Sequence, residues 1–224
     1  MYRFFALLLL PFTAYAFNVD SMVKYQNKED FFILTGDKKD SREYIYTTIS
    51  ELKAVKGKSV EDDLSLSNVA SWPVIAEPSE IILGEGDQVR VKIEKNFEAT
   101  DEDRIFGITF TPDLIGQKGQ KKYNIGFGYK VWMIVPGNAP LKGDVFVEKS
   151  SVSGSYIIKN STNKVLEVDI NYCGNERESN SCRGQLFIRP GVDKKVELGV
   201  KTKKAEFSFY AGGDKNKMLK KIDL

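Results

Sequence analysis

Apolar residues recur at every second position along much of this chain, and the longest such run lies at residues 123–136, YNIGFGYKVWMIVP. Tyr123, Ile125, Phe127, Tyr129, Val131, Met133 and Val135 are all apolar or aromatic. Successive side chains of a strand point to opposite faces, so these residues line one face of a single strand. The other face opens on Gly126 and Gly128, offers Lys130, and turns apolar only at Trp132 and Ile134. Strands usually run roughly 5–6 residues, so this one is longer than internal packing requires. It reads either as an ordinary buried strand or as a strand whose first half pairs with another chain.

The same alternation, bounded by Gly, Asn, Asp and Pro, predicts strands over 31–34, 44–52, 80–83, 88–94, 105–110, 155–160, 165–172, 185–189, 194–200 and 205–210. No segment shows sustained helical periodicity. The turn-rich stretch 136–143, PGNAPLKG, divides the strands into two groups. The fold class is therefore all-β: two immunoglobulin-like β-sandwich domains, residues 17–137 and 144–224, with a cleft between them. Trp132 is expected in the core of the first domain. Trp72, before a proline, is expected to pack or to cap a sheet edge.

Residues 1–16 read as a signal peptide. Arg3 supplies the basic start, 4–12 the short apolar run, and Ala14-Tyr15-Ala16 the cleavage pattern, so the mature chain begins at Phe17. The apolar run is too short to span a bilayer and none later approaches that length, so no stable membrane insertion is expected. The 33 basic and 31 acidic residues are scattered, which argues against nucleic acid as a partner.

The chain contains no histidine, which removes His-based triads, His metal sites and His acid–base chemistry. It has no phosphate-binding glycine loop and no metal-ligand spacing. No cofactor, no metal and no enzymatic activity are expected. Asp62-Asp63 and Glu102-Asp103 read as solvated loop charges. Cys173 and Cys182 are the two cysteines of an exported chain, with polar GNERESNS between them, and are expected to form a disulfide. Closing a loop of roughly 10 residues stabilises by about 2–3 kcal/mol in the chain-entropy model.

Four collinear segments resemble the periplasmic chaperones of the bacterial chaperone–usher pathway. They are WPVIAEPSEIILGEGDQVRV (72–91), RIFGITFTP (104–112), KVWMIVP (130–136) and VSGSYIIKN with its sequel STNKVLEVDINY (152–172). The cysteine pair followed by LFIRPG (186–191) resembles the divergent branches that build thin fimbriae or common-pilus-type fibres. The resemblance implies a periplasmic chaperone that caps pilin subunits by donor-strand complementation and delivers them to an outer-membrane usher. It implies that Tyr123, Ile125, Phe127 and Tyr129 enter a subunit's groove. It also implies that two basic residues hold the subunit's terminal carboxylate in the cleft: Lys130 on the donor strand and, by position, Lys24 near the start, with Arg90 and Arg104 as weaker candidates. Self-association of the free chain would shield the exposed strand. The competing reading is a pilus structural subunit or adhesin built from the same sandwiches.

Overall fold

A computed structural model describes residues 17–37, 42–113, 127–173, 182–199 and 204–224. The strands of the first domain are β1 (Asn18–Val19), β2 (Val23–Tyr25), β3 (Phe31–Thr35), β4 (Glu43–Val55), β5 (Lys58–Asp63), β6 (Val74–Glu77), β7 (Glu80–Leu83), β8 (Gln88–Lys95), β9 (Arg104–Asp113) and β10 (Tyr129–Val135). A short 3-10 turn at Leu66–Ser71 links β5 to β6, and no α-helix occurs among the described residues. One sheet has the order β1-β3-β8-β6. The other has the order β2-β10-β9-β4-β5, with β7 on the first half of β4. Inward residues of β3 and β8 (Phe32, Leu34, Val91, Ile93) meet Phe106, Ile108, Phe110, Val131 and Met133 of the facing sheet.

The second domain comprises β11 (Val145–Lys149), β12 (Ser155–Asn160), β13 (Leu166–Asn171), β14 (Arg183–Ile188), β15 (Val192–Glu197), β16 (Glu206–Ala211) and β17 (Met218–Asp223). Its sheets, β11-β12-β15 and β14-β13-β16-β17, enclose Tyr156, Ile158, Val168, Phe207 and Phe209. The Cys173–Cys182 disulfide joins the chain leaving β13 to the chain entering β14. The chain is thus two stacked-sheet sandwiches, as the alternation predicts.

Some expectations change. The strand read over 123–135 is β10 from Tyr129 onward, while Tyr123, Ile125 and the signal segment 1–16 lie outside the described residues. Among the described residues the longest strand is instead β4, of 13 residues. Asp62 and Asp63 are not loop charges: they end β5, which is exposed on both faces and is held by its backbone ladder to β4. Such a strand has no apolar alternation to read.

Asp103 departs furthest from its solvated-loop reading, being 3% exposed. Its carboxylate accepts the N–H of Gly137 at 2.9 Å, the N–H of Val165 at 2.8 Å and the Lys164 ammonium at 3.2 Å. Gly137 belongs to the linker, and Val165 and Lys164 to the second domain, so one side chain ties all three regions. Asn163 reinforces the tie by donating to the carbonyls of Asp101 at 3.2 Å and Pro140 at 3.0 Å. Beside it Tyr25 packs on Gly213, where φ is +64° and a Cβ would lie 2.5 Å from the tyrosine ring. The backbone turn and the close approach both require glycine.

Removing one member of a buried, hydrogen-bonded charge pair leaves the other uncompensated. Asp103→Ala is therefore expected to lose on the order of 3 kcal/mol in urea unfolding. A midpoint equal to that of the parent would show that apolar contacts alone hold the junction.

Candidate functional site in the cleft and along β10

β10 has two faces with different neighbours. Val131, Met133 and Val135 are buried in the first-domain core, and Tyr129 packs beside them against Phe17, with ring centroids 5.2 Å apart. The opposite positions, Trp132 and Ile134, join Val23, Tyr25, Leu52 and Ile105 and face Val165 and Phe187 of the second domain. Trp132 is therefore not in the first-domain core as expected. It lines the cleft, because its parity sets it opposite Met133. Trp72 does pack at the edge of the first-domain core and donates its indole N–H to the Ser65 carbonyl at 2.9 Å.

Lys130 shares the cleft-side face. Its ammonium pairs with Glu61 of β5, and the same carboxylate oxygen accepts the Ser50 hydroxyl. The strand order places β10 and β5 three spacings of about 4.8 Å apart. The bridge passes over Gly107 of β9, the register partner of both Trp132 and Ser50. A Cβ at position 107 would lie 2.6 Å from Ser50 Oγ and 2.9 Å from Lys130 Cε, so the missing side chain is what lets the lysine cross the sheet. Burial alone would raise the pKa of Glu61. Hydrogen bonds from Lys130 and Ser50 outweigh it and hold the carboxyl below the ordinary value of 4.5.

Lys24 is not brought to Lys130. It stands level with Met133 in the parallel β2–β10 pair and so occupies the other face of the sheet. Its ammonium is held by Asp20 and Glu29, each at 2.6 Å, and lies 4.8 Å from the centre of the Phe31 ring. Burial works against its charge, but these two carboxylates prevail and raise its pKa above the ordinary lysine value. Arg104 is paired with Glu51 at 2.7 Å and stacks 4.1 Å over Phe97. Arg90 stacks 4.1 Å over Phe31 on the outer sheet. Neither enters the cleft cavity described below.

The outer edge of β10 is covered only in part. β2 pairs with Trp132, Met133 and Ile134, and among the described residues no strand pairs with that edge before Trp132. Phe127, just upstream, is 54% exposed, and Tyr129 is half-buried. An apolar side chain beside unpaired backbone is a template for strand addition.

Two residues of the site were not singled out from the sequence. Glu61 sits in β5, KSVEDD, whose single apolar residue, Val60, gives no alternation to read. Arg189 follows the apolar LFI of β14 and precedes a Pro-Gly turn, and a lone arginine at the end of such a run is the signal that could have found it. Arg189 lines a cavity of about 260 Å³ together with Val23, Leu52, Ile105, Trp132, Ile134 and Phe187.

A family model described as the CS5 fimbrial protein N-terminal domain matches residues 19–136. The "Uncharacterized 25.9 kDa protein in CS5 3'region" of Escherichia coli is 45% identical over 221 residues, covering 97% of this chain and 98% of that protein. The class 5 fimbriae chaperone CfaA matches with a TM-score of 0.56 at 12% identity, over 93% of this chain and 97% of that one. A chain of the Salmonella enterica SafA pilin–SafB chaperone complex matches with a TM-score of 0.61 at 9% identity, over 95% and 97%. The fold is thus the two-domain fold found in structures of fimbrial chaperones.

A depressed carboxyl pKa stabilises above the unfolded value and ceases to do so as pH falls through the folded value. The Glu61 contribution should therefore be complete above about pH 4.5 and lost below it. Urea midpoints measured from pH 7 down to pH 3 should fall more steeply for the parent than for Glu61→Gln. Parallel curves would mean that the Lys130–Glu61 bridge adds nothing.

Proposed function

The chain belongs to the CS5 fimbrial protein family, and from that premise we propose that it is a periplasmic chaperone of a chaperone–usher system. It caps fimbrial subunits by lending them the open edge of β10 and passes them to an outer-membrane usher. The observation that carries this reading is the half-covered β10. Its second half is locked into the first-domain core, while its first half presents an edge that no strand among the described residues pairs with, flanked by exposed Phe127. A subunit lacking one strand of its own sandwich exposes the complementary feature, a groove with unsatisfied backbone groups. Main-chain ladder bonds would supply affinity and alternate side chains the specificity. Phe127 and Tyr129 are the described donors, and Tyr123 and Ile125 continue their parity upstream. Binding of this kind needs no nucleotide or metal. Without a subunit, the same edge favours self-association of the free chain.

Of the two lysines implied for the terminal carboxylate, Lys24 is turned to the other face with two carboxylates of its own, and Lys130 is neutralised by Glu61. The donor edge therefore supports the reading more directly than either lysine does.

The two halves of β10 should separate binding from stability. Burying a phenylalanine contributes about 1.5–3 kcal/mol, so Phe127→Ser should cut subunit recovery roughly tenfold or more. Its Tm should stay at the parental value. Val131→Ala should lower Tm instead, since Val131 is fully buried. The measurement is affinity purification of the tagged chain from the periplasm of cells producing the fimbrial subunits of the same locus, with melting curves on the same variants. Undiminished recovery with Phe127→Ser would remove the donor role.

A further inference from the structure

The two domains meet at two places that are built differently. At one, the buried Asp103 carboxylate holds Gly137, Val165 and Lys164, and Tyr25 and Lys28 rest on Gly213 beside it. At the other, the tip of the β4–β5 hairpin rests on β15. The ladder of β4 to β9 ends at Leu52. Beyond it, residues 53–55 and 58–60 pair with each other and with no other strand among the described residues. The turn that joins them has φ of 50° at Lys56 and 76° at Gly57, the left-handed pair of a tight hairpin turn. This overhang buries nothing: residues 53–56 and 58–60 are exposed and Gly57 is half-buried. The Gly57 carbonyl accepts the N–H of Asp193 at 2.9 Å, on the edge of β15 away from β12. Ala54 faces Gly191, where a Cβ would lie 3.5 Å from the alanine Cβ. The hairpin and β15 also give Leu52, Ser59, Val192 and Lys194 to the wall of the cleft cavity, which Trp132 shares.

We propose that the hairpin tip is a latch and the Asp103 junction a hinge. The second domain swings away from Gly57 about Asp103, and this motion opens the cleft cavity. The two attachments differ in what release costs. Breaking the junction leaves a buried charge uncompensated. Releasing the tip gives up one backbone hydrogen bond whose groups then find water, a small net loss. No apolar surface is uncovered on the overhang, because none was buried there. Contacts of this kind open at the low end of the stability range. The Lys130–Glu61 bridge pins the hairpin at its root, so the tip stays with the first domain when the second leaves. The inference does not depend on the chaperone reading. Within that reading, the cleft face of the donor strand, at Trp132 and Ile134, is gated by the latch.

Amide hydrogen exchange on the full mature chain tests this without a variant. The Asp193 amide should exchange at least tenfold faster than the Val165 amide, which is bonded to Asp103. The ladder amides of Lys53 and Val60 should exchange more slowly than Asp193, because the hairpin stays whole. Equal protection of Asp193 and Val165 would mean that both ends are held alike and overturns the proposal. Exchange of Asp193 together with the hairpin ladder would mean that the tip frays, and overturns it too. Asp193→Pro then removes the latch donor, and proline is tolerated where an edge N–H points away from the ladder. In a Trp72→Phe background Trp132 is the only tryptophan. Acrylamide quenching of its fluorescence should rise at least twofold with Asp193→Pro, at unchanged far-UV circular dichroism. Quenching equal to that of the Trp72→Phe chain overturns control of the cavity by the latch.

Discussion

The Asp103 carboxylate is the point at which two sandwiches become one molecule. A buried carboxylate is tolerated only when its oxygens are satisfied, and here they accept from the linker at Gly137 and from the second domain at Val165 and Lys164. The bonds fix two segments, the linker and the start of the second domain, and the contacts of Asp193 with Gly57 and of Lys28 with Gly213 add to the hold on the angle between the domains. The apolar meeting of Ile105, Ile134 and Val165 lies beside it. The cleft cavity exists because this junction holds the inner faces of the two domains close without sealing them.

β10 then divides its labour by parity and by length. One face completes the first-domain core, and the other forms the cleft wall. Along its length the second half is held between β9 and β2, and among the described residues the first half has a partner on one side only. Rigidity at one end and an open edge at the other suit a strand that is lent to another protein, because the lender need not reorganise to donate it. An ordinary core strand would be covered along both edges.

The basic residues around β10 show how weakly residue type alone predicts a binding role. Lys24, Lys130 and Arg104 are basic and well placed in the chain, yet each is paired within the molecule. Arg189 is less conspicuous in the sequence and is the one whose buried donors meet no acceptor among the described residues. What separates them is where the fold brings carboxylates: Asp20 and Glu29 in the turns beside β2, Glu61 on β5 and Glu51 on β4. Gly107 takes part in that outcome by leaving the sheet surface open for Lys130 to reach Glu61.

The amino-acid sequence by itself determined the fold class, the two sandwiches and the cysteine pairing. These follow from local rules: strand periodicity, turn chemistry, and two cysteines in an exported chain. It also separated the two faces of β10, with Val131 and Met133 on one and Lys130 and Trp132 on the other. The alternation did not reveal that Trp132 faces a second domain, that Asp103 is buried, or that KSVEDD is a strand. Nor did it show that Lys24 and Lys130 lie on opposite faces of one sheet. Each of these depends on a partner distant in the chain: Val165 for Asp103, β4 for β5, and the parallel register of β2 on β10 for Lys24. Periodicity reports which residues share a face, and only the tertiary structure decides what that face meets.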